Sequence, residues 1–380
     1  MKLTARVAAA AVALGLFAQP VLADGPIGYQ INPAHDGQTK FKKPFQGPLK
    51  QKWARNLGGE ISTPFGADGM VFAVVHINSG AQLYALNPKT GATIWHKTVN
   101  SSYFANATYD NGRVFVLNAN GLLQAYASDS VGTPQWAKQM PGSNDWDAPP
   151  TAYKGRVYLT SNSGVTAVDE ATGSVVWTKG SGGSTSPAIG DGGLFLDMDC
   201  SHYRLSLKKG KLVWNDNTGC GGGGGANAAY FNGRDYTQDT GGGDMILDAK
   251  TGDLIGPYSA WFPPAFWTPA SGNPVAFAVS DHDLNSFDTV TGNNGWSLQA
   301  DDFFSVPPLV VNDTVVAGTS GGTLYAIDAA TGTHVWSIEL GSYIGMDWIG
   351  FTGMGVAPSV NAVLVPAGQT LYAFAPKGKR

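Results

Sequence analysis

Three groups of residues in this 380-residue chain carry side chains from which a site could be built. Asp145-Trp146-Asp147, Asp301-Asp302-Phe303-Phe304 and Met346-Asp347-Trp348 place carboxylates beside aromatic rings, and Trp261, Phe266 and Trp267 add more aromatic surface. Such pairings suit sugars, through ring stacking and hydroxyl hydrogen bonds, or cations and amines, through charge and cation–π attraction. The second group is Asp197-Met198-Asp199-Cys200-Ser201-His202, then Asp239 and Asp244, then Asp281-His282-Asp283. Calcium takes several oxygens at once, which makes Asp197, Asp199, Asp281 and Asp283 weak candidate ligands. No calcium loop of the form D-x-D-x-D-G-x₅-E occurs, however, and aspartate is also an ordinary turn residue. His202 and His282 lack the H-E-x-x-H spacing of a zinc site. In the third group Cys220 precedes the run Gly221 to Gly225, but Ala226-Asn227 follows where a phosphate-binding loop needs Lys-Ser/Thr. Close backbone approach is the better reason for those glycines. With no C-x-x-C-H haem site and no G-x-S-x-G nucleophile elbow, no catalytic residue is assigned.

The elements that must position these groups come from an internal repeat. LYALNPKTGATIW ending at Trp95, VTAVDEATGSVVW at Trp177 and LYAIDAATGTHVW at Trp336 are copies of one unit, and weaker copies end at Trp136, Trp214, Gly256 and Trp296. Each copy reads as an alternating strand, an Asp/Asn-x-x-Thr-Gly turn in which glycine supplies the positive φ, and a second strand. Between copies lie patterns such as STSPAIGDGGLFL (184–196) and FSVPPLVVNDTVVAG (304–318), which read as two more strands around an Asn/Asp/Gly turn. Four short antiparallel strands per roughly 40 to 45 residues predict a propeller blade. Each repeat Trp reads as a packing residue wedged between blades, its N–H satisfied locally.

The termini predict that the ring closes. LYAFAP (371–376) supplies the third strand of an eighth unit, and LKQKWARNL (49–57), with Trp53 at the expected place, supplies the fourth from the other end of the chain. The predicted fold is therefore all-β: an eight-bladed β-propeller of four-stranded antiparallel blades spanning 45–380, closed by the N-terminal strand and preceded by an N-terminal extension at 24–44.

The strand, Asp-x-x-Thr-Gly turn and terminal Trp resemble the repeat of the pyrroloquinoline-quinone-type eight-bladed propellers. That superfamily holds quinoprotein dehydrogenases and also non-enzymatic members such as the propeller subunit of the outer-membrane β-barrel assembly machinery. The resemblance covers roughly residues 45 to 380 and speaks to fold, because the repeated residues are those that pack blade on blade. In such a ring the loops entering the innermost strands share one face with the loops joining second and third strands. This places Asp145, Trp146, Asp147, Trp267, Asp302 and Trp348 at an acidic and aromatic channel mouth, the expected ligand-binding face.

Composition narrows the function classes. Charged residues make up 14% of the chain and the formal net charge is −4, so the basic footprint of a nucleic-acid binder is missing. Lys2 and Arg6 ahead of the apolar run Val7 to Ala18, with Val21-Leu22-Ala23 at the end, read as a signal peptide over 1–23, cleaved near Ala23. That run is too short to span a membrane, no later stretch is long and apolar enough, and no Cys follows the cut to carry a lipid anchor. A soluble monomer in the periplasm or secreted space is expected. In an oxidising compartment Cys200 and Cys220 are expected to form a disulfide.

The favoured functional reading is an exported, non-enzymatic binding or scaffold protein whose channel face holds an envelope or extracellular protein, or a glycan, with no cofactor. One alternative, implied by the resemblance, is a quinoprotein dehydrogenase with pyrroloquinoline quinone and calcium in the channel. Against it, such enzymes carry an adjacent Cys-Cys disulfide and extra loops, whereas the cysteines here lie twenty residues apart. The other alternative is a polysaccharide lyase or hydrolase using a carboxylate pair as acid and base.

Overall fold

The computed structural model describes residues 25, 27–99, 104–129, 133–142, 146–180, 183, 185–198, 200–219, 227–238, 243–345 and 352–377. The signal peptide read at 1–23 lies outside them. The described strands form eight sheets, each built on four antiparallel strands that follow the sequence from the axis outward in blades 1 to 7, and the eight-bladed propeller predicted above is the observed fold. Blade 3 shows the plan: Thr151–Tyr153 is innermost, followed by Arg156–Ser161, Gly164–Asp169 and the exposed outer strand Val175–Lys179. The innermost strands of blades 1 to 8 include Phe65–Ala67, Ala105–Asp110, Thr151–Tyr153, Ala188–Gly190, Ala229–Phe231, Ala265–Trp267, Leu309–Val311 and Gly355–Ala357.

Local chemistry fixes each turn. Between the first and second strands of blade 3, Lys154 and Gly155 both have positive φ (48° and 79°), as a two-residue hairpin matching the strand twist requires. Asp68-Gly69, Asn111-Gly112, Asp191-Gly192 and Asn232-Gly233 repeat this device. In the Asp-x-x-Thr-Gly turn, Asp169 Oδ1 accepts hydrogen bonds from the backbone N–H groups of Ala171 and Thr172 and from the Thr172 hydroxyl. Asp248 and Asp328 do the same in blades 5 and 7.

Five of the repeat Trp residues reach beyond their own blade, whereas the buried Nε1 of Trp95 has no hydrogen-bond partner among the described residues. Trp53, Trp136, Trp177, Trp214 and Trp296 each donate Nε1–H, over 2.8–3.1 Å, to a carbonyl in the third-to-fourth-strand turn of the next blade. Each ring also lies against that turn's glycine: a Cβ on Gly173 would sit 2.6 Å from Trp136, and one on Gly91 2.6 Å from Trp53. The repeat motif is thus a latch between neighbours, in which the turn glycine is needed both for its φ and for the ring that covers it. The N–H partner is not local, as expected above, but some 30 to 35 residues further along the chain.

Leu49–Asn56 pairs antiparallel with Thr370–Pro376 as the outer strand of blade 8, so the ring closes as read from the termini. The segment ahead of that strand runs across the inner edges of the ring. Ile27 bridges to Tyr109 in blade 2. The carbonyls of Pro33, Ala34, Asp36 and Gly37 then accept from the N–H groups of Ile189, Tyr230, Phe266 and Val310 in blades 4, 5, 6 and 7, and Gln38–Thr39 adds a short parallel strand to blade 7. A segment bonded to the innermost strands of successive blades lies in the central channel. Its bonds satisfy backbone groups that those edges would otherwise leave open.

Candidate functional site

Two faces follow from this layout. The loops entering the innermost strands and the turns between second and third strands form the mouth; the other turns form the opposite face. The channel between them is filled by buried residues of the N-terminal segment. Tyr29 is 2% exposed and His35 1%, and they meet edge to face with ring centroids 5.3 Å apart. Asn227 Nδ2 donates to the Tyr29 hydroxyl, and Gln30 Nε2 donates to the Pro263 carbonyl. His35 ties three blades together. The Ala228 carbonyl can only accept, so Nδ1 carries the ring proton (3.3 Å), and Nε2 is left to accept from the Thr151 hydroxyl (3.3 Å), with Ser186 Oγ 3.5 Å away. Burial pushes the His35 pKa down to about 3, the bond to Ala228 opposing only in part. The ring is neutral in the fold.

At the mouth, the strongest feature is an exposed aromatic group on blades 6 and 7. Trp261 and Phe303, 49% and 43% exposed, stack with centroids 5.8 Å apart and planes 10° from parallel. The His282 ring lies 4.3 Å from the Phe303 ring, tilted by 39°. Carboxylates flank these residues along the chain. Asp302 Oδ1 accepts from the Phe303 N–H, Asp281 occupies the turn at φ 57°, and Asp283 begins the following strand. Asp301 accepts from the hydroxyls of Thr323 and Tyr325; burial raises its pKa, but these bonds outweigh it and the carboxyl lies below its ordinary value. Flat rings bordered by anions can stack on a sugar or an aromatic side chain and attract a cation beside it.

The expected mouth residues do not all gather there. Trp146 is 1% exposed and packs between blades 2 and 3 among Phe115, Leu117 and Leu159; its indole covers Gly121, where a Cβ would lie 2.5 Å from Nε1. That is a core position, and it corrects the ligand-facing assignment. Trp267 is also displaced. It ends the innermost strand of blade 6 and donates to Asp313 Oδ1 in the first turn of blade 7, which puts both on the face opposite the mouth. Phe266 is fully buried against Phe231. Asp147 is half-buried, and its carbonyl accepts from Asn106 Nδ2. Asp145 and Trp348 lie outside the described residues.

The candidate calcium ligands are not brought together. Asp197, on blade 4, has Oδ1 engaged by His202 Nδ1 at 3.1 Å and Oδ2 engaged by the Gln238 N–H. Asp281 and Asp283 lie on blade 6, and Asp199 is outside the described residues. Among the described residues no group of three or more His, Cys, Asp or Glu could hold a metal ion. Sequence reasoning missed Asp235, fully buried between blades 4 and 5, neither of whose carboxylate oxygens has a hydrogen-bond partner. Burial first, and then the Asp197 charge, push its pKa well above the carboxylate range, with Arg204 opposing. Its strand, RDY at 234–236, looks like any other alternating strand, so nothing in the sequence marks it. Cys200 is buried, and Cys220 lies outside the described residues.

Comparison with known proteins adds the following. The family described as outer membrane protein assembly factor BamB matches in four overlapping stretches, residues 47–179, 132–265, 203–340 and 259–379. Outer membrane protein assembly factor BamB of Moranella endobia is 24% identical over 319 residues, covering 73% of this chain and 78% of that protein. Tetrathionate hydrolase of Acidithiobacillus ferrooxidans is 26% identical over 161 residues, 37% of this chain; the chain spans only about a third (32%) of that relative's length. Among solved structures, BamB from Moraxella catarrhalis superposes with a TM-score of 0.67 at 16% identity, covering 86% of this chain and all of that one. A europium-containing methanol dehydrogenase superposes with a TM-score of 0.69 at 14% identity, covering 92% and 98%. At these identities the structural likenesses show the fold alone.

Proposed function

We propose, from the premise that the chain belongs to the family described as outer membrane protein assembly factor BamB, that it is an exported, non-enzymatic scaffold of the cell envelope that holds a protein partner on its mouth face. The observation that carries this reading is the stacked and exposed pair Trp261–Phe303, with Asp302 accepting from the Phe303 N–H. Two large aromatics half open to water beside carboxylates form an anchor of the kind that dominates protein interfaces. A peptide segment with a basic or aromatic side chain fits it, and a glycan is the second ligand class that it suits.

The quinoprotein alternative fits the residues poorly. A quinone in the channel would need the space that Tyr29, Gln30 and His35 fill, and those side chains are bonded to the entering ends of blades 3 to 6. No step through such a cofactor is derived. Titration with pyrroloquinoline quinone and calcium, followed by its visible absorption, is expected to leave no retained quinone after desalting. A stoichiometric band would favour the dehydrogenase.

Trp261→Ala/Phe303→Ala is expected to keep stability within about 1 kcal/mol, because both side chains are exposed, and to lose the partner that the wild-type mature chain captures from envelope extract. Capture of the same protein by both forms would move the site elsewhere. The Cys200–Cys220 bridge belongs to the same reading, since an exported chain meets oxidising conditions. Thiol titration of the unreduced, denatured protein should find no free thiol, and two would refute the bridge.

A further inference from the structure

We infer that a basic groove on the face opposite the mouth is a binding site for a small anion carrying several phosphates. The groove has a volume of about 790 Å³, and five lysines line it: Lys40, Lys42, Lys43, Lys52 and Lys89, together with the hydroxyl-bearing Ser359. All five are exposed. No ion pair joins any of these lysines to a carboxylate among the described residues. In a chain with 24 basic residues and a net charge of −4, this is a local reversal of sign.

The fold builds the site rather than leaving it to flexible side chains. Lys40, Lys42 and Lys43 ride on the N-terminal segment where it leaves the channel, and that segment is pinned by Phe41 and Phe45, 5% and 0% exposed and packed edge to face. Asn312 clasps the backbone of Phe41, accepting from its N–H and donating to its carbonyl, and the Thr314 hydroxyl donates to the Phe45 carbonyl. Lys52 comes from the ring-closing strand. Lys89 follows Pro88, whose carbonyl holds the Trp53 latch. The groove thus lies on the seam between blades 8 and 1, where three separately anchored segments bring like charges to one concavity. An anion relieves the repulsion that this convergence creates, and ammonium groups bind phosphate as point charges.

Size and lining decide the ligand class. The volume falls within the range of about 300–1,000 Å³ typical of small-molecule sites. The lining aromatic, Phe41, is buried, and none of the large exposed apolar residues lines the groove, so nothing there would insert into a lipid surface. The phosphates could belong to a soluble molecule or to a lipid headgroup, and the observations favour the soluble one.

The test is calorimetric titration of the mature chain with inorganic tripolyphosphate. Saturable binding that weakens with added salt is expected. Lys40→Gln/Lys43→Gln/Lys52→Gln should bind roughly tenfold or more weakly, as expected for lost charge-assisted contacts, whereas Lys208→Gln/Lys209→Gln, on another blade, should bind as wild type does. Lys42→Gln/Lys89→Gln provides an independent second variant should the first fail to fold. Equal affinity in the groove variants and wild type, or no binding at all, would overturn the proposal. So would binding to phosphatidylglycerol vesicles without binding to tripolyphosphate, since that would mark a lipid surface as the ligand.

Discussion

Replacing Trp53 by alanine should lower the stability of the whole propeller by about 3–5 kcal/mol, the usual cost of emptying a packed aromatic site. Trp53 is 6% exposed and packs with Leu57, Val71, Leu86, Leu371 and Ala373, residues drawn from blades 8 and 1. It also donates 2.8 Å to the Pro88 carbonyl and covers Gly91. Its loss therefore loosens the outer strand of blade 8, which only hydrogen bonds to Thr370–Pro376 and side-chain packing tie to the rest of that blade, and with it the closure of the ring. Trp53→Phe keeps most of the packing and loses the hydrogen bond, so a smaller cost of about 1 kcal/mol beyond the change in volume is expected. Denaturant titration of the two variants beside Trp261→Ala provides the comparison. Should Trp53→Ala unfold at the same midpoint as Trp261→Ala, the seam does not hold the ring and the latch assignment is wrong.

The same latch explains what could be read from the sequence. A blade-to-blade contact that repeats requires the same residue types at each repeat: an Asp to cap the turn, a Gly to take positive φ beneath a ring, and a Trp long enough to reach the next turn. Those needs are local and periodic, so strand count, turn positions and closure by Leu49–Asn56 were all visible. The channel segment was not. Its bonds to Ile189, Tyr230, Phe266 and Val310 run through its own carbonyls, and carbonyls leave no trace in side-chain pattern. Trp146 and Trp267 were misplaced for a related reason. Whether a loop Trp faces solvent depends on what the neighbouring blade offers it, here the bare surface at Gly121. Which face a Trp at a strand end belongs to depends on where a three-residue strand begins, and Ala265–Trp267 begins earlier than the aromatic run suggested. The lysines of the groove were legible as residues, but only the path of the N-terminal segment brings Lys40, Lys42 and Lys43 to Lys52 and Lys89.

Acid should release the channel segment, and His35 should be the main cause. In the fold its pKa is about 3 against an ordinary 6.5, so on acidification the unfolded chain takes up a proton that the native chain refuses. Stability is then fully present above pH 6.5 and is lost as pH falls toward the folded value, by up to about 1.4 kcal/mol per pH unit. His76, pushed down to about 4 by burial against its bond to the Ala105 carbonyl, adds a loss of the same sign. Glu170 opposes both. Burial, and then the charge of Asp110, raise its pKa to about 7, so it stabilises the fold in acid, and that contribution fades as pH rises through 7. The groups packed around His35 do not take over its role: Thr151 and Ser186 do not titrate, burial holds the Tyr29 hydroxyl above its ordinary value, and burial likewise raises Asp36. The His35→Gln variant separates these contributions. At neutral pH it should be less stable than wild type, but its melting temperature should fall less steeply between pH 7 and about 4. Hydrogen exchange gives the local readout: in wild type the amides of Ile189, Tyr230, Phe266 and Val310 should lose protection on acidification before the outer strands do, because those four amides bond to the segment that His35 holds. An equally steep acid loss in His35→Gln, or outer strands that open first, would place the acid-sensitive element outside the channel.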